Sequence, residues 1–182
     1  MIITLNGVKI TVWLTQVIHF QSKCKVIVMN FSDDYSKLVL MRCNRYIEFH
    51  TQQGRYYELR IPRYGRDFEY QRSTCDLLFV GSGSEVVRFN LEQGRFLAPM
   101  TSPSATSMNA CALNPQHDAL LVTGTSEGTV EAWDTREAKS RVARLDCAMA
   151  LPEAASTLPQ VTSLAFKDGL NLAVGRYAFL LF

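Results

Sequence analysis

The sequence lacks any closely spaced cysteine pair. Its five cysteines, Cys24, Cys43, Cys75, Cys111 and Cys147, are scattered, and the nearest two, Cys24 and Cys43, stand 19 positions apart. No CxxC spacing occurs, which disfavours a zinc knuckle or a dithiol redox motif. An odd number of cysteines beside apolar runs reads as small buried hydrophobes in a reducing compartment. An excess of one charge is also missing. With 19 Lys+Arg against 17 Asp+Glu the net charge is +2, which excludes a histone-like or basic-tail protein. No uninterrupted apolar run of membrane-spanning length exists, so no membrane partner is expected. The N-terminus carries neither a basic segment nor a small-residue cleavage site, so a secretory signal is not expected. No stretch sustains a helical 3.6-residue period. P-loop, GxSxG and GxGxxG motifs are absent as well.

What is present is an apolar fraction of 47% in 182 residues, enough for a sizeable core, and a pattern of internal repeats. Gln53-Gly54-Arg55 returns as Gln93-Gly94-Arg95. Each is preceded by a β-type run, Arg45 to His50 and then Glu85 to Asn90, and Thr129 to Asp134 forms a third copy. Phe49, Phe89 and Trp133 hold the same place in these runs, and a polar residue follows each: His50, Asn90 and Asp134. The run before also recurs, as Asp76 to Gly81, Ala119 to Gly124 and Leu170 to Gly175, with Lys37 to Arg42 as the first copy. Gly81, Gly124 and Gly175 are therefore aligned as equivalent repeat positions. Upstream again stand Val26 to Phe31, Asp67 to Gln71, Met108 to Leu113 and Val161 to Phe166. Turn-forming residues separate the runs at Ser32-Asp33-Asp34, Asn114-Pro115 and Lys167-Asp168-Gly169.

A unit of about 40 residues holding four short strands is a β-propeller blade. The predicted fold class is therefore all-β: a partial WD-repeat propeller with about three complete blades and incomplete ones at both ends. The blades are placed at about 26–61, 66–98 and 108–146, with a fourth beginning at 161. Residues 1–25 are read as a divergent segment, the remnant of an earlier blade. The Ala-rich stretch from Cys147 to Ser156, with Pro152 inside it and Pro159 beyond it, is read as an irregular insertion. Too few blades are present to close a disc of four to eight. The chain is accordingly expected to be part of a larger propeller, with its apolar ending, Tyr177 to Phe182, inside a third strand.

Trp133-Asp134, following Gly128-Thr129-Val130, looks like the end of a WD-repeat strand. More specific are Phe31-Ser32-Asp33-Asp34-Tyr35-Ser36-Lys37, Asn44 to His50, Arg60 to Phe68 and Asn90-Leu91-Glu92-Gln93-Gly94-Arg95. This series resembles the WD-repeat domain of the nucleolar protein ten family, from about residue 26 to Gly175. Residues 1–25 and the tail after Gly175 do not share the resemblance. It implies a nuclear, nucleolar protein of the small-subunit processome: a scaffold in maturation of small-subunit ribosomal RNA, not an enzyme. Its partners would be pre-ribosomal particle proteins and pre-rRNA, with no cofactor and no small-molecule substrate. The alternative is a generic WD-repeat interaction adaptor in another complex, because one fold serves many partners.

No catalytic constellation stands out. Gly81-Ser82-Gly83-Ser84-Glu85 reads as a turn between strands, and Asp33-Asp34 as turn carboxylates. His19, His50 and His117 are dispersed, with no converging metal ligands. The candidate RNA- or partner-binding residues are Arg60, Arg63, Arg66 and Arg72 with Tyr64, and the segment from Arg60 to Arg66 is the link between the first two blades. Arginine presents a planar fork to phosphate and stacks on bases and rings. The competing reading pairs these arginines with Glu58, Asp67 and Glu69 inside the fold.

Overall fold

Runs such as Leu38-Val39-Leu40-Met41 and Leu77-Leu78-Phe79-Val80 are short and continuously apolar, which suits strands covered on both faces. The computed structural model describes residues 4–5, 8–9, 26–31, 38–42, 45–51, 53–137, 141–146 and 159–176, and every regular element among them is a strand. These strands form a partial β-propeller. The chain divides into two compact units, Met1–Tyr64 and Gly65–Phe182.

In the first unit, β1 (Thr4–Leu5) pairs antiparallel with β2 (Val8–Lys9). These are the described part of the segment expected to be a blade remnant; the rest of that expectation lies outside the described residues. A four-stranded sheet follows, in the order β3 (Val26–Phe31), β4 (Leu38–Arg42), β5 (Tyr46–Thr51) and β6 (Gly54–Arg60). Leu38, Leu40, Met41, Ile47, Phe49, Leu59 and Ile61 are buried in this unit. Phe49 packs against Tyr57 with ring centroids 5.5 Å apart.

The second unit begins with β7 (Gly65–Gln71), β8 (Asp76–Gly81), β9 (Glu85–Asn90) and β10 (Arg95–Phe96), hydrogen-bonded in that order. A further strand, β11 (Met100–Thr101), also pairs β9, so the outer edge of this sheet is made by two short pieces. Pro99 lies between them and has no N–H to donate to a ladder. The next sheet orders β12 (Met108–Leu113), β13 (Leu120–Thr125), β14 (Thr129–Asp134) and β15 (Arg141–Asp146). The last described pair is β16 (Val161–Phe166) with β17 (Leu172–Arg176). The stretches expected to be an insertion and a third strand, residues 147–156 and 177–182, lie outside the described residues.

Within this unit the first strands of successive sheets, β7, β12 and β16, lie against one another. The middle sheet is buried on both faces because strand side chains alternate. Leu121 and Trp133 join Leu78, Val80, Val86 and Met100 of the preceding sheet in one core. Val122 and Val130 point the other way and meet Val161, Leu164, Phe166, Leu172 and Val174. One sheet alone could not bury both surfaces, so neighbours are required for stability.

Register shows how good the repeat is. Phe49 lies opposite Val39, Phe89 opposite Leu77 and Trp133 opposite Leu121. His50, Asn90 and Asp134 lie opposite Leu38, Asp76 and Leu120, the first residues of their strands. In the second strands the sequence alignment slips by one. A bulge interrupts the pairing of β3 with β4, β7 with β8, β12 with β13 and β16 with β17. Gly124 and Gly175 lie beside it, opposite Ala110 and Ser163, and the matching residue of the preceding sheet is Val80. Gly81 sits one place beyond, opposite Gly65. Gly124 is glycine because β16 approaches it closely: a Cβ there would fall 2.8 Å from Val161 Cβ.

Candidate functional site

The arginines singled out from the sequence fall into both units and do different work. Arg66 is the bulged residue of β7, and Asn109 holds the same position in β12. The Arg66 guanidinium donates to Asn109 Oδ1 and, at 3.1 Å, to Ser107 Oγ. Asn109 Nδ2 in turn donates to the Val161 carbonyl at 2.8 Å. A relay of bulge side chains thus ties three successive sheets together. Asp67 and Glu69, the expected partners of these arginines, are occupied elsewhere or unpaired. Asp67 Oδ2 accepts the Cys111 N–H at 2.9 Å, another tie between sheets, and Oδ1 accepts the Phe68 N–H. Glu58 pairs with Arg55. Arg63 and Arg72 each make an interaction within the fold.

The first unit holds the other part of the candidate surface, at the end of β6. Arg60 and Arg63 are exposed, and Tyr64 is 59% exposed. The residue that organises this end is one that sequence reasoning missed, Arg45. Its backbone is left-handed, with φ of 69°. Its carbonyl accepts the Ile61 N–H at 3.0 Å. Its guanidinium donates to the Ile61 carbonyl at 3.3 Å and to the Pro62 carbonyl, and lies 5.8 Å from the centroid of the Tyr64 ring. Nothing in a lone Arg before a β-run signals such a clamp; the positive φ that creates it is a tertiary fact.

The remaining polar side chains serve the fold. His50 Nε2 contacts the Glu48 carboxylate at 3.0 Å within the sheet of β3 to β6. Asp134 accepts from the Arg136 guanidinium, at 2.9 Å from Nε, and from the Arg136 N–H, and these hydrogen bonds hold its carboxyl down at about 2. Buried Glu131 gathers Ser102 Oγ at 2.8 Å, Ser104 Oγ at 3.1 Å and Arg141 Nη1 at 2.6 Å, fastening the crossover between two sheets. Cys111 is buried, and burial, with Asp67 and Glu69 nearby, pushes its thiol well up. Cys75 departs from the expectation of burial. It is half-exposed in the β7–β8 turn, with φ of 56°. Cys24, Cys43, Cys147, His19 and Asp33-Asp34 lie outside the described residues. Among the described residues no three His, Cys, Asp or Glu side chains gather as metal ligands, and no helix is long and apolar enough to cross a membrane.

Glu69 supplies a pH dependence. Burial raises its carboxyl to about 7, and the charge of Asp67 two residues away adds to the shift. The folded protein therefore holds a proton that the unfolded chain has released above its ordinary value near 4.5. The contribution of Glu69 to stability is greatest below that lower value and falls as pH rises to about 7, by ~3 kcal/mol in all. Urea unfolding between pH 4.5 and 8 is expected to show this decline, and Glu69→Gln to flatten it. An unchanged slope in the variant would assign the decline to other groups.

The family model described as Nucleolar protein 10-like, N-terminal domain, a β-propeller, matches residues 14–178 of this chain. The match begins before residue 26 and extends past Gly175, so it takes in part of the segment that reads as divergent in the sequence. Nucleolar protein 10 of Danio rerio is 52% identical over 147 residues, covering 79% of this chain and 20% of that protein. The human Nucleolar protein 10 is 51% identical over the same length, which is 21% of that protein. The ribosome biogenesis protein enp2 homolog of Schizosaccharomyces pombe is 42% identical over 153 residues, 24% of its length. The chain thus spans about a fifth to a quarter of these relatives.

Proposed function

This chain belongs to the Nucleolar protein 10-like N-terminal β-propeller family, and from that premise we propose that it acts in the nucleolus as a non-enzymatic assembly factor in small-subunit ribosome biogenesis. The observation that carries the reading is the sequence identity, from 39% to 52%, to relatives named for the nucleolus or for ribosome biogenesis. The site chemistry agrees with it. Charged groups such as Glu131, Asp67 and Arg66 are used to fasten sheet to sheet. The surface that remains is a docking platform of strand edges and links. Pre-ribosomal particle proteins are its partners in this reading, within the small-subunit processome. The exposed Arg60, Arg63 and Tyr64 are its contact with pre-rRNA, through phosphate and base.

The test is to tag the chain and follow it by imaging and by gradient sedimentation. Nucleolar enrichment and co-migration with pre-ribosomal particles are expected. A uniformly cytosolic pool that captures trafficking or ligase subunits, and no pre-ribosomal protein, would replace this reading with the generic adaptor.

A further inference from the structure

Tyr64 stands out among the exposed aromatic side chains for how it is held. Tyr56 and Tyr57 lie on the outer strand β6, and both pack against Phe49. Tyr64 instead extends from a link whose path is fixed at several points. The Arg45 carbonyl holds the Ile61 N–H, the Arg45 guanidinium holds the Ile61 and Pro62 carbonyls, and the ring of Pro62 fixes its own φ. The same guanidinium lies against the Tyr64 ring at 5.8 Å, within the range of a cation–π contact. The ring nevertheless keeps 59% of its surface exposed. Arg60 and Arg63, both exposed, precede it in the same unit.

An exposed ring held in place beside cationic side chains offers what single-stranded nucleic acid requires. It gives a plane on which a base can stack, with positive charge to follow the phosphates. Because the link is already ordered, little conformational freedom is lost on binding. A duplex keeps its bases stacked on one another and cannot use such a ring.

We propose that Tyr64 is a stacking platform for an unpaired base of single-stranded RNA, with Arg45 as the positioning residue that presents it. This rests on the RNA contact in the proposed function and names the form of RNA recognised there.

The experiment is a filter-binding titration of the chain with a 12-nucleotide single-stranded RNA and with the same sequence as a duplex, across a salt series. Tyr64→Leu is expected to weaken single-strand binding about tenfold. It should leave the slope of log affinity against log salt unchanged, because no phosphate contact is lost, and leave duplex binding unaffected. Tyr64→Phe should bind as the parent does. Arg60→Ala should instead reduce the salt slope by about one phosphate contact. Tyr64→Leu binding like the parent, while Arg60→Ala weakens it, would overturn the platform and leave the RNA contact standing. Failure of the parent chain to bind RNA at low salt would remove both. Loss of a pre-ribosomal protein on Tyr64→Leu, with RNA binding intact, would reassign the ring to protein docking.

Discussion

Replacing Trp133 by alanine is expected to destabilise the protein by about 4 kcal/mol, enough to remove much of the stability of an ordinary domain. Trp133 is fully buried. It is shared between two sheets, packed with Leu78, Val80, Val86 and Met100 on one side and with Leu121 and Met108 of its own sheet. Its truncation leaves a cavity where two sheets meet and breaks the bond from Trp133 Nε1 to Thr123 Oγ1, 2.9 Å long, leaving a buried hydroxyl without that partner. Trp133→Phe keeps most of the apolar contact, leaves a smaller cavity and loses the hydrogen bond, so about 1–2 kcal/mol is expected. Urea unfolding of the three proteins checks the order. A loss below ~1 kcal/mol for the alanine variant would mean that the two sheets are held together elsewhere.

Arg88→Met is expected to have a comparable effect for a different reason. Asp76 is buried, and its carboxylate accepts from Arg88 Nη2 at 2.9 Å and from Asn90 Nδ2 at 2.7 Å. Removing the guanidinium strands an anion in a dry sheet, which costs about 3–5 kcal/mol. The double variant Asp76→Leu with Arg88→Met removes both charges and should recover most of that loss. Two observations favour recovery. Arg88 Nε is buried without a partner, so the native pair is itself incompletely satisfied. Asn90 Nδ2 retains its bond to the Thr74 carbonyl, at 2.8 Å, when Asp76 is gone. A double variant as unstable as Arg88→Met alone would show that Asp76 and Arg88 do not act as a pair.

These two sites differ in how legible they were. Trp133 could be found from the sequence because it recurs: Phe49 and Phe89 mark the same register, and all three are buried. Asp76 and Arg88 could not: the register puts Leu38 and Leu120 where Asp76 stands, and Glu48 and Ala132 where Arg88 stands, so no repeated pair marks them. The glycine alignment shows a related limit. Matching residues along the chain placed Gly81 with Gly124, whereas the bulge in each sheet sets register by hydrogen bonding and puts Val80 there.

By itself the sequence determined the fold class and the family, because short apolar runs, turn residues, a recurring aromatic and long specific motifs are local signals written along the chain. Only the tertiary structure decided what the arginines do. Arg60, Arg63 and Arg66 look alike in one short link. Yet Arg66 falls on a bulge, where its side chain reaches the next sheet, while Arg60 follows the outer strand into solvent. Whether a flexible cation meets a neighbouring sheet or water depends on the path of a backbone many residues away. Nothing in the local sequence records that path.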